Sequence, residues 1–160
     1  KISLNTKNVI RMRTFSKAYG MAGLRVGYAI GEKELILNFE KIRNHFGMSR
    51  VSQVGALAAL EDNEFINKVV NKVALTRSRI ADIATRNNCK FIPSFTNFVA
   101  IDCLNDSKFA KRVLDNLINK GVFVRMPYSF PQNRCIRVTV GLDKDIDLFE
   151  KYFPIAIKES

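Results

Sequence analysis

The chain has 160 residues, 47% of them apolar, which is enough to bury the core of an ordinary domain. Its 26 lysines and arginines outnumber 15 acidic residues for a net charge of +11, yet Lys68, Lys72, Arg77, Arg79 and Arg86 are interspersed with Glu61, Asp62, Glu64 and Asp82, which reads as a solvated basic face, or as the partner of an acidic surface, and not as a nucleic-acid surface. Cys89, Cys103 and Cys135 lack close spacing and His45 is the only histidine, so neither a disulfide framework, a metal site nor histidine-based catalysis is indicated, and no apolar run approaches the roughly 20 residues that span a membrane.

In chain order, residues 8–15 alternate well enough to be a strand. Leu24 to Ile30 is a second strand, whose small and branched residues suit a sheet buried on both faces. Glu32 to Phe46 reads as a helix with Leu35, Phe39, Ile42 and Phe46 at helical spacing and Gly47 as its stop. Ser49 is placed to cap the next helix, through Val51, Val54, Leu57 and Leu60. A long helix follows residues 61–63, with Phe65, Val69, Val73, Ile80 and Ala84 as its apolar stripe and Asn87-Asn88 as its end. Residues 91–103 hold a strand interrupted early by Pro93. Asp106 to Lys120 is a helix with Phe109, Val113 and Leu117 inward and Gly121 as its stop. Val122 to Met126 and Cys135 to Val140 are two strands joined by a polar, proline-containing loop, and Asp143 to Phe153 is a final helix ended or kinked at Pro154. Helices on one face of a small sheet follow from this order, an α/β arrangement.

The most informative stretch lies between the first two strands. Lys17 stands in Arg13-Thr-Phe-Ser-Lys-Ala-Tyr-Gly-Met-Ala-Gly-Leu-Arg-Val-Gly27. Its amine can act as a nucleophile. The hydroxyls of Thr14 and Ser16 before it and the guanidinium of Arg25 after it can hold a phosphate dianion, while Gly20 and Gly23 let the backbone turn. An amine beside a phosphate cradle is what a pyridoxal 5′-phosphate enzyme needs. The alternative leaves Lys17 solvated in a turn, the two hydroxyls at a strand end and Arg25 paired with an acid. Far along the chain, Arg137 lies in Cys-Ile-Arg-Val-Thr-Val-Gly, where apolar neighbours would bury its stem. Such an arginine needs an anion, either a ligand or a carboxylate of the chain.

The lysine segment resembles the cofactor-lysine motif of the class I/II, fold-type I aminotransferases, most closely the histidinol-phosphate aminotransferase branch. Ile136 to Gly141 is similar to that family's carboxylate-binding arginine strand, and Ser94 to Val99 to the strand that opens its small domain. The resemblance runs over nearly the whole chain. It implies that Lys17 carries pyridoxal 5′-phosphate as a Schiff base, that Thr14, Ser16 and Arg25 hold the cofactor phosphate, and that Arg137 holds the substrate carboxylate. Arg125 is implied near a substrate phosphate and Asn97 near the mouth of the site, the alternatives being a structural arginine and a turn-forming asparagine. Tyr19 is either a neighbour of the site or core.

The implied fold is α/β: the end of a large cofactor-binding domain with a parallel-type sheet (residues 1–80, including a bridging helix) and a small α/β sandwich domain (residues 81–160), with the boundary inside the long helix, near residues 75–85. Family members are much longer, so the chain is expected to be a C-terminal portion with little activity alone. The remaining half would supply an aspartate for the pyridine nitrogen and an aromatic residue over the ring. A homodimer in the cytoplasm is expected, acting on an amino acid and a 2-oxo acid, with no metal, nucleic acid or membrane partner. The rivals are a threonine-phosphate-type decarboxylase using the same cofactor and a basic, non-catalytic interaction module.

Overall fold

The computed structural model describes residues 6–160. The fold class is the α/β one implied by the sequence. The chain divides into two compact units, the first ending at Val70 and the second spanning Asn71–Ser160. The division falls inside one long helix. Residues 1–5 of the expected first domain lie outside the described residues.

The first unit begins with β1 (Arg11–Thr14) and β2 (Gly27–Ile30), which pair antiparallel with Thr14 opposite Gly27 and Arg11 opposite Ile30. Both strands are shorter than expected. Asn8 takes a left-handed conformation before β1, and Ala22–Leu24 form a 3-10 turn before β2. The pair is antiparallel, not parallel, because the chain returns through a loop without the crossover helix that parallel neighbours need. Nor is it buried on both faces within this unit: Met12, Arg13, Thr14, Gly27 and Tyr28 are exposed. Gly27 is required where it stands, because a Cβ there would lie 2.6 Å from the Arg13 carbonyl oxygen.

The expected helix over residues 32–46 shrinks to α1 (Lys33–Leu37), followed by a 3-10 turn at Asn38–Lys41. Its apolar spacing is only half used: Leu35 and Phe39 are half-buried, while Ile42 is 82% and Phe46 97% exposed. The Asn38 and Asn44 side chains bond to nearby backbone instead, which competes with helix. Ser49 does cap α2 (Arg50–Glu61), its hydroxyl accepting from the Ser52 N–H at 3.0 Å. Ser52 in turn donates to the Leu24 carbonyl at 2.7 Å and so pins α2 to the turn before Arg25.

α3 (Asn63–Arg86) crosses from one unit to the other. Only its second half is buried, through Thr76, Ile80, Ala81, Ile83 and Ala84, while Phe65 at the start of the expected stripe is exposed. In the second unit, β3 (Lys90–Ile92), β4 (Phe98–Asp102) and β5 (Cys135–Thr139) form an antiparallel sheet in that order. One face, carrying Val99, Ile101, Ile136 and Val138, meets the apolar stripes of α3, α4 (Ser107–Asn119) and α5 (Asp143–Lys158) in a single core. Asp106 caps α4 by accepting from the Phe109 N–H at 2.8 Å.

Two expectations fail here for physical reasons. Residues 122–126 alternate as a strand would, Val122 and Val124 inward, but the Val122 N–H is taken by the Leu117 carbonyl of α4, and the one bridge to the sheet is Arg125 opposite Arg137. Pro154 does not end α5, which runs on to Lys158. It sits exposed within the helix while Phe153 and Ala156 on either side are buried, and that burial outweighs the one backbone bond proline removes.

Candidate active site

Lys17 is held by the hairpin loop, and Phe15 anchors that loop. Phe15 is buried, with the Tyr19 and Tyr28 rings 4.9 and 5.7 Å from its own. Its N–H donates to the Val26 carbonyl at 3.3 Å and its carbonyl accepts from the Met21 N–H at 3.0 Å. These bonds close the neck of the loop and leave Ser16 and Arg25 as the first residues above it, one on each side. Tyr19 is therefore a packing partner of the anchor. Gly20, at φ +69°, turns the chain and donates to the Lys17 carbonyl at 2.9 Å.

The structure thus gathers Thr14, Ser16, Lys17 and Arg25 at one hairpin end. The Thr14 hydroxyl accepts from the Ser16 N–H at 3.0 Å, and the Arg25 guanidinium spends one donor on the Ala22 carbonyl at 2.7 Å. Arg25 has left-handed backbone, φ 50°, where it follows the 3-10 turn. The expected alternative, Arg25 paired with an acid, is not realised among the described residues. Lys17 is exposed and bonds to no described side chain. From Thr14 to Gly27 there is no acidic residue. An ammonium, two hydroxyls and a guanidinium with free N–H groups, undiluted by carboxylates, form a donor set for an anion.

The second group of residues lies in the second unit. Arg125 and Arg137 sit directly opposite each other and exchange two backbone bonds, N–H to carbonyl, at 3.1 and 2.6 Å. Opposed residues point to the same face, so both guanidiniums rise from one side of the sheet. The Arg137 Cζ lies 5.0 Å from the Phe98 ring centroid and the Arg125 Cζ 5.9 Å from that of Phe123. The Arg137 Nε is buried and has no hydrogen-bond partner. Among the described residues no carboxylate pairs with either arginine. The nearby buried acid, Asp102, is taken by Arg134 at 2.6 Å.

Both arginines line a cavity of about 920 Å³ that also touches Lys108, Lys111 and Arg112 of α4 and has no acidic residue in its wall. Lys111 is paired with Asp115, whereas Arg112 spends only its Nε donor, on the Ser160 carbonyl at 2.8 Å, so Lys108, Arg112, Arg125 and Arg137 face the cavity without a carboxylate partner among the described residues. Asn97 is placed at the start of β4, where its carbonyl accepts from the Val140 N–H at 2.9 Å. No partner of its side chain distinguishes a ligand from a turn residue. Sequence reading missed Phe98, the platform under Arg137, and Arg77, which holds the turn before Asn97 by donating to the Thr96 carbonyl at 2.8 Å. Phe98 could have been found by pairing the two strands in register. Arg77 carried no signal.

Residues 3–148 match the family model of aminotransferase class I and II. The chain is 40% identical over 134 residues to a histidinol-phosphate aminotransferase of Aliarcobacter butzleri, covering 84% of this chain and 36% of that protein. It is 41% identical to the Bacillus velezensis enzyme of the same name, with the same coverage. The structure superposes with a TM-score of 0.89 on histidinol-phosphate aminotransferase from Sinorhizobium meliloti, solved in complex with pyridoxal-5′-phosphate, at 46% identity over 95% of this chain and 42% of that one. L-threonine-O-3-phosphate decarboxylase from Porphyromonas gingivalis shares the fold, with a TM-score of 0.75 at 18% identity. The chain therefore spans little more than a third of the length of the relatives it matches.

Proposed function

Because the chain belongs to the aminotransferase class I and II family, we infer that it carries the cofactor lysine and the substrate-anion arginines of a pyridoxal 5′-phosphate-dependent aminotransferase. The amino donor would be histidinol phosphate or an aromatic amino acid, with 2-oxoglutarate as the acceptor. The observation that carries the reading is the pair of cross-strand arginines, with a buried, partnerless Nε on Arg137 and no carboxylate in the cavity they share. A site so charged is built for an anionic ligand.

The residues at the hairpin fit the cofactor. Ser16 and Arg25 flank the loop neck with free donors for a phosphate, Thr14 adds a hydroxyl, and Lys17 presents an amine with no competing partner. When bound, the cofactor supplies an electron-withdrawing ring that stabilises negative charge at the substrate Cα. Lys17 Nζ would hold the cofactor covalently and, once displaced by substrate, would be the base that takes the proton from the substrate Cα and delivers it to the C4′ carbon of the cofactor. Arg137 orients an α-carboxylate through its forked guanidinium, which lies over the Phe98 ring. For histidinol phosphate, which has no carboxylate, Arg137 and Arg125 share the phosphate. Asn97 would lie near the mouth of the site. The reading extends to a preceding segment of a longer enzyme and to a second copy. The exposed apolar residues Val51, Val54, Leu57 and Leu60 along α2 support both.

The test is a steady-state comparison of Arg137→Ala and Arg125→Ala in the complete enzyme, with glutamate, phenylalanine and histidinol phosphate as donors. Arg137→Ala should lower kcat/KM for all three by about 30- to 1000-fold, the equivalent of losing about 2–4 kcal/mol of charge-assisted contact. Arg125→Ala should impair histidinol phosphate alone. Unchanged glutamate kinetics in Arg137→Ala would overturn the carboxylate role. Release of carbon dioxide without amino transfer would replace the reaction with a decarboxylation.

A further inference from the structure

We propose that Cys89 and Cys103 form a reversible dithiol–disulfide pair that staples the end of α3 to the end of β4. The register of the sheet carries this inference. Lys90 is opposite Asp102, Phe91 opposite Ile101 and Ile92 opposite Ala100. One step outward along the same ladder sets Cys89 against Cys103. The two cannot be joined by backbone bonds to each other, since the Cys89 N–H goes to the Ala84 carbonyl at 3.0 Å and the Cys103 N–H to the Arg134 carbonyl at 3.3 Å. They are therefore a non-hydrogen-bonded antiparallel pair, the kind whose Cα atoms come closest, at about 4.5 Å. A disulfide spans Cα separations of about 4.4–6.8 Å with the two Cβ atoms facing each other, and directly opposed residues share a face.

The third thiol is kept out by the pleat. Cys135 is opposite Asp102, so it stands on the other face of the sheet, with the Arg134–Asp102 ion pair. Cys89 and Cys103 both belong to the apolar core between sheet and helices, at 8% and 7% exposure. Their environment also differentiates them. A hydrogen bond from Cys103 holds the Cys89 thiol below its ordinary value, against the opposing effects of burial and of Asp102. The same contact, with burial, drives the Cys103 thiol far up. Cys89 is accordingly the attacking sulfur and Cys103 the resolving one.

A peroxide is an oxidant small enough for so enclosed a pair. The Cys89 thiolate attacks one oxygen of hydrogen peroxide. The O–O bond breaks, and after proton transfer the products are a sulfenic acid on Cys89 and water. The Cys103 sulfur then attacks the Cys89 sulfur, the S–O bond breaks, the hydroxyl leaves with the Cys103 proton as a second water, and the S–S bond forms. Two thiols are oxidised and one peroxide is reduced to two waters. A thiol reductant reverses the bridge by exchange.

The experiment is peroxide treatment of the intact native protein, alkylation of the remaining thiols, and peptide mass spectrometry without reduction. The expected product is a cross-linked peptide pair containing Cys89 and Cys103, lighter by two hydrogens and restored by a thiol reductant, with Cys135 alkylated. Oxidised protein should melt at a higher temperature than reduced protein. Cys135→Ala should keep both effects. Cys103→Ser should lose both and leave a sulfenic acid on Cys89 that dimedone captures. A bridge involving Cys135, full alkylation of all three thiols after treatment, sulfinic acid on Cys89 in place of a bridge, or a bridge formed only in denaturant would each overturn the proposal. Should Cys103→Ser fail to fold, the wild-type and Cys135→Ala maps decide it alone.

Discussion

The two units of this chain each present candidate anion-binding residues, on unequal foundations. In the first, among the described residues, Phe15 and Val26 are the only buried apolar side chains, and the loop with Lys17 rests on that small anchor and on α2. In the second, three helices and three strands close a continuous core, and Arg137 rides on a strand whose neighbours Ile136 and Val138 are fully enclosed. The contrast separates two ways of placing a functional side chain. Arg137 is positioned by a sheet that completes itself, whereas Lys17 is positioned by a few local bonds around a hairpin neck. The first unit also leaves apolar side chains such as Val54 70% exposed.

The strongest way to break this comparison is to cut both regions alike. Phe149→Ala removes a ring stacked on Phe153 in the core of the second unit and should lower the stability of that unit by about 3–5 kcal/mol. Val54→Ala on the exposed face of α2 should change local stability by less than about 0.5 kcal/mol. Native-state hydrogen exchange on the chain reads both at once. Equal losses would mean that the two units do not differ in packing as described.

A smaller effect sharpens the same point through the helix caps. Asp106 and Ser49 make equivalent bonds, to the N–H groups of Phe109 and Ser52. Either change to Ala should cost about 1 kcal/mol of local helix stability. Asp106→Ala should lower exchange protection throughout the second unit, because α4 is part of its cooperative core. Ser49→Ala should affect α2 alone. A unit-wide loss from Ser49→Ala would contradict the account.

The Ser49 cap was legible in the sequence because a cap is a local device: a side-chain oxygen, a backbone N–H three residues on, and an apolar run behind. The same holds for the Lys17 loop, whose hydroxyls, glycines and arginine are neighbours in sequence. What could not be read depended on tertiary partners. The residues 32–46 had helical spacing, but no surface met Ile42 and Phe46, and the helix stopped at Leu37. Pro154 looked like an end, but the burial of Phe153 and Ala156 carried α5 past it. Arg125 and Arg137 were both candidates, twelve residues apart, yet their direct opposition and the service of Asp102 to Arg134 follow only from register.

The smallest expected effect is in acid. Hydrogen bonds from Arg86 and then Arg79 hold the Glu150 carboxyl below its ordinary value, and Lys72 does the same for Asp143. All these residues belong to the second unit. A carboxyl lowered in the folded state stabilises it above the unfolded value of about 4.3, and that contribution is lost as pH falls toward the folded value, where the unfolded chain binds more protons. Lys72, Asp143 and Arg86 are exposed and Glu150 is partly so, so screening keeps the effect small and salt should shrink it. Glu150→Gln should flatten the decline of stability below about pH 4.3 in urea unfolding curves. An unchanged acid limb would show that these pairs do not couple to folding.

The central claim is that Lys17, poised above the neck closed by Phe15 and Val26, is the residue that carries pyridoxal 5′-phosphate. Borohydride reduction of the cofactor-loaded enzyme, followed by proteolysis and mass spectrometry, tests it most directly. The account predicts one phosphopyridoxyl-modified peptide, containing Lys17. Label on a peptide without Lys17, or none on a protein that binds the cofactor, would contradict it.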